Sequence, residues 1–138
     1  MKKRILIIFF SFIFSQDTIY FVYNAKGDVF SVIGDFFHKS LSPKTYPCRL
    51  CDLSYGVIAK KKVWKDFLDD LDMDYEFLYK NEIDGFSNSI KDLPIILIGQ
   101  EDNVITLMSK EEINSSQDIN ELINKINLKL VERGKNKE

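Results

Sequence analysis

Two cysteines, one histidine and one strand-entering proline are the side chains of this chain whose types and spacing can do chemistry together. Cys48 and Cys51 are its only cysteines and form a C-x-x-C within Thr45-Tyr46-Pro47-Cys48-Arg49-Leu50-Cys51-Asp52-Leu53-Ser54-Tyr55-Gly56. The only histidine, His38, precedes them by a short interval. Such spacing brings two sulfurs close enough to close a disulfide or to grip one metal ion.

Three chemistries follow from these residues. In the first, the pair is a dithiol oxidoreductase acting on a protein thiol or disulfide. Cys48 is then the attacking sulfur at a helix N-terminus, and Cys51 resolves the mixed disulfide. Pro47 suits the first helical turn, where its missing N–H costs nothing. Arg49 is placed to help hold a thiolate, and Pro94 is expected to face the pair. In the second, His38, Cys48 and Cys51 hold zinc, with Asp35, Asp52 or water as a fourth ligand. A closed structural zinc site normally takes four Cys/His ligands, and this chain contains three. In the third, the cysteines form an inert disulfide or buried thiols in a partner-binding module. A c-type haem attachment site is excluded, because Asp52 stands where histidine is required.

The elements that must position these residues are legible in the hydropathy pattern. Thr18-Ile19-Tyr20-Phe21-Val22-Tyr23 is β-branched and aromatic throughout, as a strand buried on both faces should be. After the turn residues Asn24 to Gly27, Val29, Val32, Ile33, Phe36 and Phe37 predict one face of a helix from about Asp28 to Ser40. His38 falls near the C-terminal end of that helix, beside its apolar stripe, and Pro43 ends it. Beyond the C-x-x-C, Trp64, Phe67, Leu68 and Leu71 make a second helical face, and Lys60 to Lys62 read as solvated charge. Tyr75 to Tyr79 alternates as a strand, residues 93–98 form another entered through Pro94, and 104–108 return antiparallel to it. A last helix, capped by Ser116, carries Ile119, Leu122, Ile123, Ile126 and Leu130. Residues 132–138 read as a frayed charged tail.

The order β-α-(CxxC)-α-β-loop-β-β-α predicts an α/β domain, a small mixed four-stranded sheet with helices on both faces. It resembles a thioredoxin-like sandwich, and Pro94 stands where that fold keeps a cis-proline facing its cysteines. Here, however, a whole predicted helix separates the first strand from the C-x-x-C, whereas in thioredoxins the motif follows that strand directly.

The chain length suits one domain, since domains usually run ~100–150 residues, and 45% apolar against 29% charged residues is a globular balance. Met1-Lys2-Lys3-Arg4, then an apolar run from Ile5 to Phe14 and Ser15-Gln16-Asp17, has the layout of a secretory signal. An uncleaved membrane anchor is the alternative, although a comfortable span needs ~20 apolar residues. A buried first strand is a further reading of the same run. The expected organisation is a signal or anchor at 1–15, one domain at 16–131 and the tail. Membrane contact is then expected only through an uncleaved N-terminus. Cleavage after Ser15 removes Lys2, Lys3 and Arg4 and no acidic residue, leaving 16 basic side chains against 21 acidic ones. A surface so acidic disfavours nucleic acid, and export places the cysteines where disulfides persist. The sequence contains no G-x-x-x-x-G-K-[ST], G-x-S-x-G or H-E-x-x-H.

The stretches VYNAKGD, HKSLSPKTYPCRLCDLSYG, VWKDFLDDL and EEIN, with the Leu93-Pro94 pair, give the chain a further resemblance. It is similar to a family of short bacterial proteins of unknown function, some of which carry a GTPase or translation elongation factor label by annotation transfer. The likeness runs from about Thr18 to Leu130 and implies no established activity. Without a phosphate-binding loop, GTP hydrolysis is not expected of this chain.

Overall fold

The computed structural model describes residues 16–26, 48–56, 60–83, 90, 92–100 and 103–136. Within them the elements run β1 (Thr18–Tyr23), α1 (Arg49–Ser54), α2 (Lys62–Asp69), β2 (Tyr75–Tyr79), β3 (Ile95–Gln100), β4 (Asn103–Met108), α3 (Lys110–Asn114) and α4 (Ile119–Asn136). The predicted helix over 28–40, and with it His38 and Asp35, lies outside the described residues, as does the N-terminal segment 1–15.

β1 holds five consecutive buried residues, Ile19 to Tyr23. A strand with apolar side chains on both faces can satisfy neither at an edge, so it sits inside the sheet. The strand order is β2-β1-β3-β4. β1 pairs parallel with β2 and antiparallel with β3, and β3 pairs antiparallel with β4. This four-stranded mixed α/β sheet has the thioredoxin-like class that the element order predicts, but the expected cover of helices on both faces is not seen among the described residues, whose helices all pack on one face.

Register then sorts the side chains. Ile19, Phe21 and Tyr23 face the same side as Tyr75, Phe77 and Tyr79, and as Ile96 and Ile98. All the described helices deliver apolar residues to that face: Cys48, Leu50 and Leu53 from α1 and its cap, Trp64, Phe67 and Leu68 from α2, Ile113 from α3, and Ile119, Leu122 and Ile126 from α4. Trp64 meets Phe21 edge-on at 5.1 Å and anchors α2 to the centre of the sheet. Tyr20, Val22, Ile95 and Leu97 form a second buried cluster on the opposite face.

The β3–β4 hairpin is tighter than the sequence suggests, because Gly99 and Gln100 continue the ladder and Gln100 pairs with Asn103. Gly99 takes φ +154, and a Cβ there would run into the backbone of Asn103; only glycine fits. α3 begins with a capping box, in which Ser109 Oγ accepts the Glu112 N–H and the Glu112 carboxylate accepts the Ser109 N–H.

Two expectations are corrected at the C-terminal helix. Ser116 is not its cap: Asp118 stands directly before the helix, and its Oδ1 accepts the Glu121 N–H at 2.9 Å. The helix also continues to Asn136, so residues 132–136 are helical rather than a frayed tail. Arg133 explains the extension. Its guanidinium reaches Asp17 Oδ2 with Nε at 3.2 Å and Nη2 at 2.9 Å. The Asp17 side chain is only 9% exposed, so the pair is shielded from solvent. Arg133→Ala should cost about 1–2 kcal/mol in urea unfolding, as loss of a charged, part-buried hydrogen-bond pair does. A tail without structural role would give no change.

Candidate functional site

α1 is short, and its geometry is set by Cys48. That residue caps the helix, and its Sγ accepts the Cys51 N–H at 3.3 Å. Leu50 and Leu53 turn inward and are buried, which fixes the roll of the helix against the sheet. The chain leaves the helix at Tyr55, whose extended backbone pairs with Lys60.

Cys48 and Cys51 are joined by a disulfide, with Cα atoms 5.3 Å apart. The two ends are not equivalent. Cys48 is 2% exposed and belongs to the core cluster, whereas Cys51 is half-buried. The Cys51 side of the pair is therefore the one solvent reaches.

Beneath the disulfide lies a buried polar chain. Ser54 Oγ donates to the Leu50 carbonyl at 2.6 Å, and Tyr23 Oη lies 3.3 Å from the same Ser54 Oγ. Ser54 has one proton and spends it on Leu50, so Tyr23 is the donor to Ser54. The buried Trp64 indole N–H closes no hydrogen bond of ordinary geometry among the described residues. Burial pushes the Tyr23 phenol far above its usual range, so Tyr23 remains a proton donor. Tyr23 and Ser54 are both fully buried, whereas the sequence pattern places Tyr23 in the strand core alone. The available signal was a tyrosine in an otherwise apolar, doubly buried strand, whose hydroxyl must find a partner.

Arg49 does not serve the sulfurs as expected. Its Nη2 donates to the carbonyls of Ser116 at 2.9 Å and Gln117 at 2.8 Å, and its Nε reaches Ser116 O at 3.3 Å. It fastens α1 to the turn before α4. Lys61 Nζ donates to the Asp52 carbonyl at 3.2 Å. Partial burial raises the Asp52 carboxyl above its usual range, and Arg49 and Lys61 pull it back. Lys60 Nζ sits 3.7 Å from the Phe77 ring centroid. Partial burial lowers its ammonium pKa, and Lys65 adds repulsion.

Pro94 is buried, and its peptide bond with Leu93 is cis. β3 pairs Ile95 with Val22, so continuing the register sets Pro94 across from Tyr23. The proline thus stands at the end of β1 from which the tyrosine reaches α1. The zinc reading loses two of its ligands in this oxidised state, because sulfurs joined to each other are not thiolates. Among the described residues, no group of three His, Cys, Asp or Glu side chains is placed to hold a metal ion.

Comparison of the chain with protein-family models, with curated proteins and with solved structures finds no match.

The buried phenols give the site a pH signature. Between pH 10, the ordinary tyrosine value, and the raised native value of Tyr23, the unfolded chain releases its proton while the native chain keeps it. The unfolded state then binds fewer protons, so stability must fall as pH rises above about 10. Tyr55 and Tyr79 shift in the same direction, both chiefly by burial. Urea midpoints at pH 9, 10 and 11 should decline, and Tyr23→Phe should flatten the decline. An unchanged slope in that variant would remove Tyr23 from the account.

Proposed function

We infer that this protein is a thiol–disulfide exchange protein whose working group is the Cys48–Cys51 pair. The observation that carries the reading is the asymmetric disulfide at the start of α1, one sulfur in the core under an N–H donor and the other toward solvent. In the oxidised form a substrate thiolate attacks Cys51 Sγ, and the Cys48–Cys51 bond breaks with its electron pair leaving on Cys48. The Cys51 N–H stabilises that departing sulfur, and a stabler leaving thiolate leaves faster. The second thiol of the substrate, after losing its proton, attacks the substrate's own sulfur in the mixed disulfide and releases Cys51. The substrate dithiol is oxidised to a disulfide, the protein pair takes up the two electrons, and Cys48 and Cys51 end as thiols. In the reverse direction Cys51 attacks first and Cys48 resolves, which exchanges the roles that spacing alone assigns.

The fold and Pro94 support the same reading, and the substrate class it implies is a protein thiol or disulfide. The N-terminal segment 1–15 supports export, where such a pair meets oxidisable thiols. No helix among the described residues is long and apolar enough to cross a membrane. The TYPCRLC stretch makes membership of the uncharacterised bacterial family part of this proposal, and the absence of a phosphate-binding loop separates the chain from the GTPase label.

One observation favours a second reading. Cys48 is packed in the core with Leu50 and Leu53, as a structural staple would be, and the staple would leave the domain to act by binding a partner.

The test is trapping and turnover with a reduced dithiol peptide. Cys48→Ser, which keeps Cys51, should accumulate a mixed disulfide when offered an activated peptide disulfide. Cys51→Ser should trap at least tenfold more slowly, and both should lose catalytic peptide oxidation. Unchanged oxidation in Cys48→Ser would refute exchange, and faster trapping through Cys48 would reverse the assigned roles.

A further inference from the structure

The Leu50 carbonyl that accepts from Ser54 and the Cys51 N–H that donates to Cys48 belong to one peptide group. The donors therefore run in a single direction: Tyr23 O–H to Ser54 Oγ, Ser54 O–H to the Leu50 oxygen, and from the other side of that amide the Cys51 N–H to Cys48 Sγ. A hydrogen bond to an amide oxygen draws charge from the nitrogen and makes its N–H a better donor, so bonds in such a chain reinforce one another.

We propose that Ser54 and Tyr23 are positioning residues that raise the reduction potential of the Cys48–Cys51 pair by orienting and polarising the peptide group that donates to Cys48 Sγ. The sulfur carries more negative charge in the reduced pair than in the disulfide, so the N–H favours the reduced form. The first two links are buried, with Tyr23 and Ser54 fully enclosed, and the third runs from the half-buried Cys51 to the nearly enclosed Cys48 Sγ. Water therefore does not compete for the Tyr23 and Ser54 donors, and the low local dielectric strengthens those bonds. Tyr23 stays protonated because burial disfavours its anion. The Ser54 bond spans one helical turn, from residue 54 back to 50. In an exposed helix such a back-bond brings nothing, since Ser and Thr hydroxyls there only compete with the backbone. Here it is tied to the central strand by Tyr23, which gives the hydroxyl a fixed direction.

This inference deepens the exchange reading and rests on it for its use, but its test is separate, because a disulfide has a potential whether or not it turns over a substrate. The full chain is equilibrated against dithiothreitol and glutathione redox pairs, and its cysteines are counted by alkylation and mass. Ser54→Ala should shift the equilibrium roughly tenfold toward the disulfide, about 30 mV more reducing for a two-electron couple. Tyr23→Phe, which keeps the ring packing, should shift it about threefold, roughly 14 mV. Because Tyr23 acts through Ser54, the double variant should match Ser54→Ala. Ser54→Thr restores the hydroxyl and should return the potential to the wild-type value.

An unshifted Ser54→Ala overturns the proposal. So does a Ser54→Thr as shifted as the alanine variant, since volume and not the hydroxyl is then responsible. Additive shifts in the double variant overturn the relay from Tyr23. If Ser54→Ala does not fold, Tyr23→Phe decides alone, and an unchanged potential there refutes the inference. Loss of peptide oxidation is a different readout, so failure of the exchange reading leaves this result distinguishable.

Discussion

Five consecutive buried residues in one strand constrain everything else in the molecule. Ile19 to Tyr23 turn side chains to both faces of the sheet, so β1 must be flanked by strands and covered above and below. β2 and β3 take the two sides, one parallel and one antiparallel. On the face occupied by Ile19, Phe21 and Tyr23, the described helices supply the cover through Leu50, Trp64, Ile113 and Leu122. The aromatic contacts of Phe21 with Trp64 and with Phe77 set where α2 and β2 must lie relative to that centre.

The same constraint produces the site. Tyr23 brings a hydroxyl into a fully buried position, and an unpartnered hydroxyl there would cost roughly 1–3 kcal/mol. Ser54 answers it, which places the end of α1 over the end of β1 and gives the helix its hold on the Leu50–Cys51 peptide. Arg49 secures the other end of α1 to the turn carrying Ser116 and Gln117. The disulfide is thus carried on a helix held at both ends, with its buried sulfur beneath and its accessible sulfur outward. Reactivity at such a pair is a matter of which sulfur is reached and which one leaves stabilised.

What could be read beforehand follows the range of the interactions. All four strands were legible, because alternation and β-branched composition are local properties, and so was the apolar face of α2. Leu71 shares the spacing of that face and packs on the core, though it lies just beyond the helix end. α3 is not legible as an element, because five residues are too few for a periodicity and its only local mark is the Ser109–Glu112 capping box. The start of α4 is ambiguous by two residues in the sequence, because Ser116 and Asp118 are both competent caps and the structure uses Asp118. Its true end depends on Asp17, more than a hundred residues away in sequence. Spacing marks Cys48 and Cys51 as a pair, and the structure joins them in a disulfide. The direction of Arg49 and the roles of Tyr23 and Ser54 depend on tertiary contacts that no window of sequence contains.

The central claim is that this disulfide exchanges rather than staples, and its reduction potential tests that most directly. Equilibrated against glutathione buffers and read by alkylation and mass, the wild-type pair should be half reduced between about −120 and −270 mV, the range of exchange proteins. A value below about −300 mV, where structural disulfides of secreted proteins lie, would contradict the account.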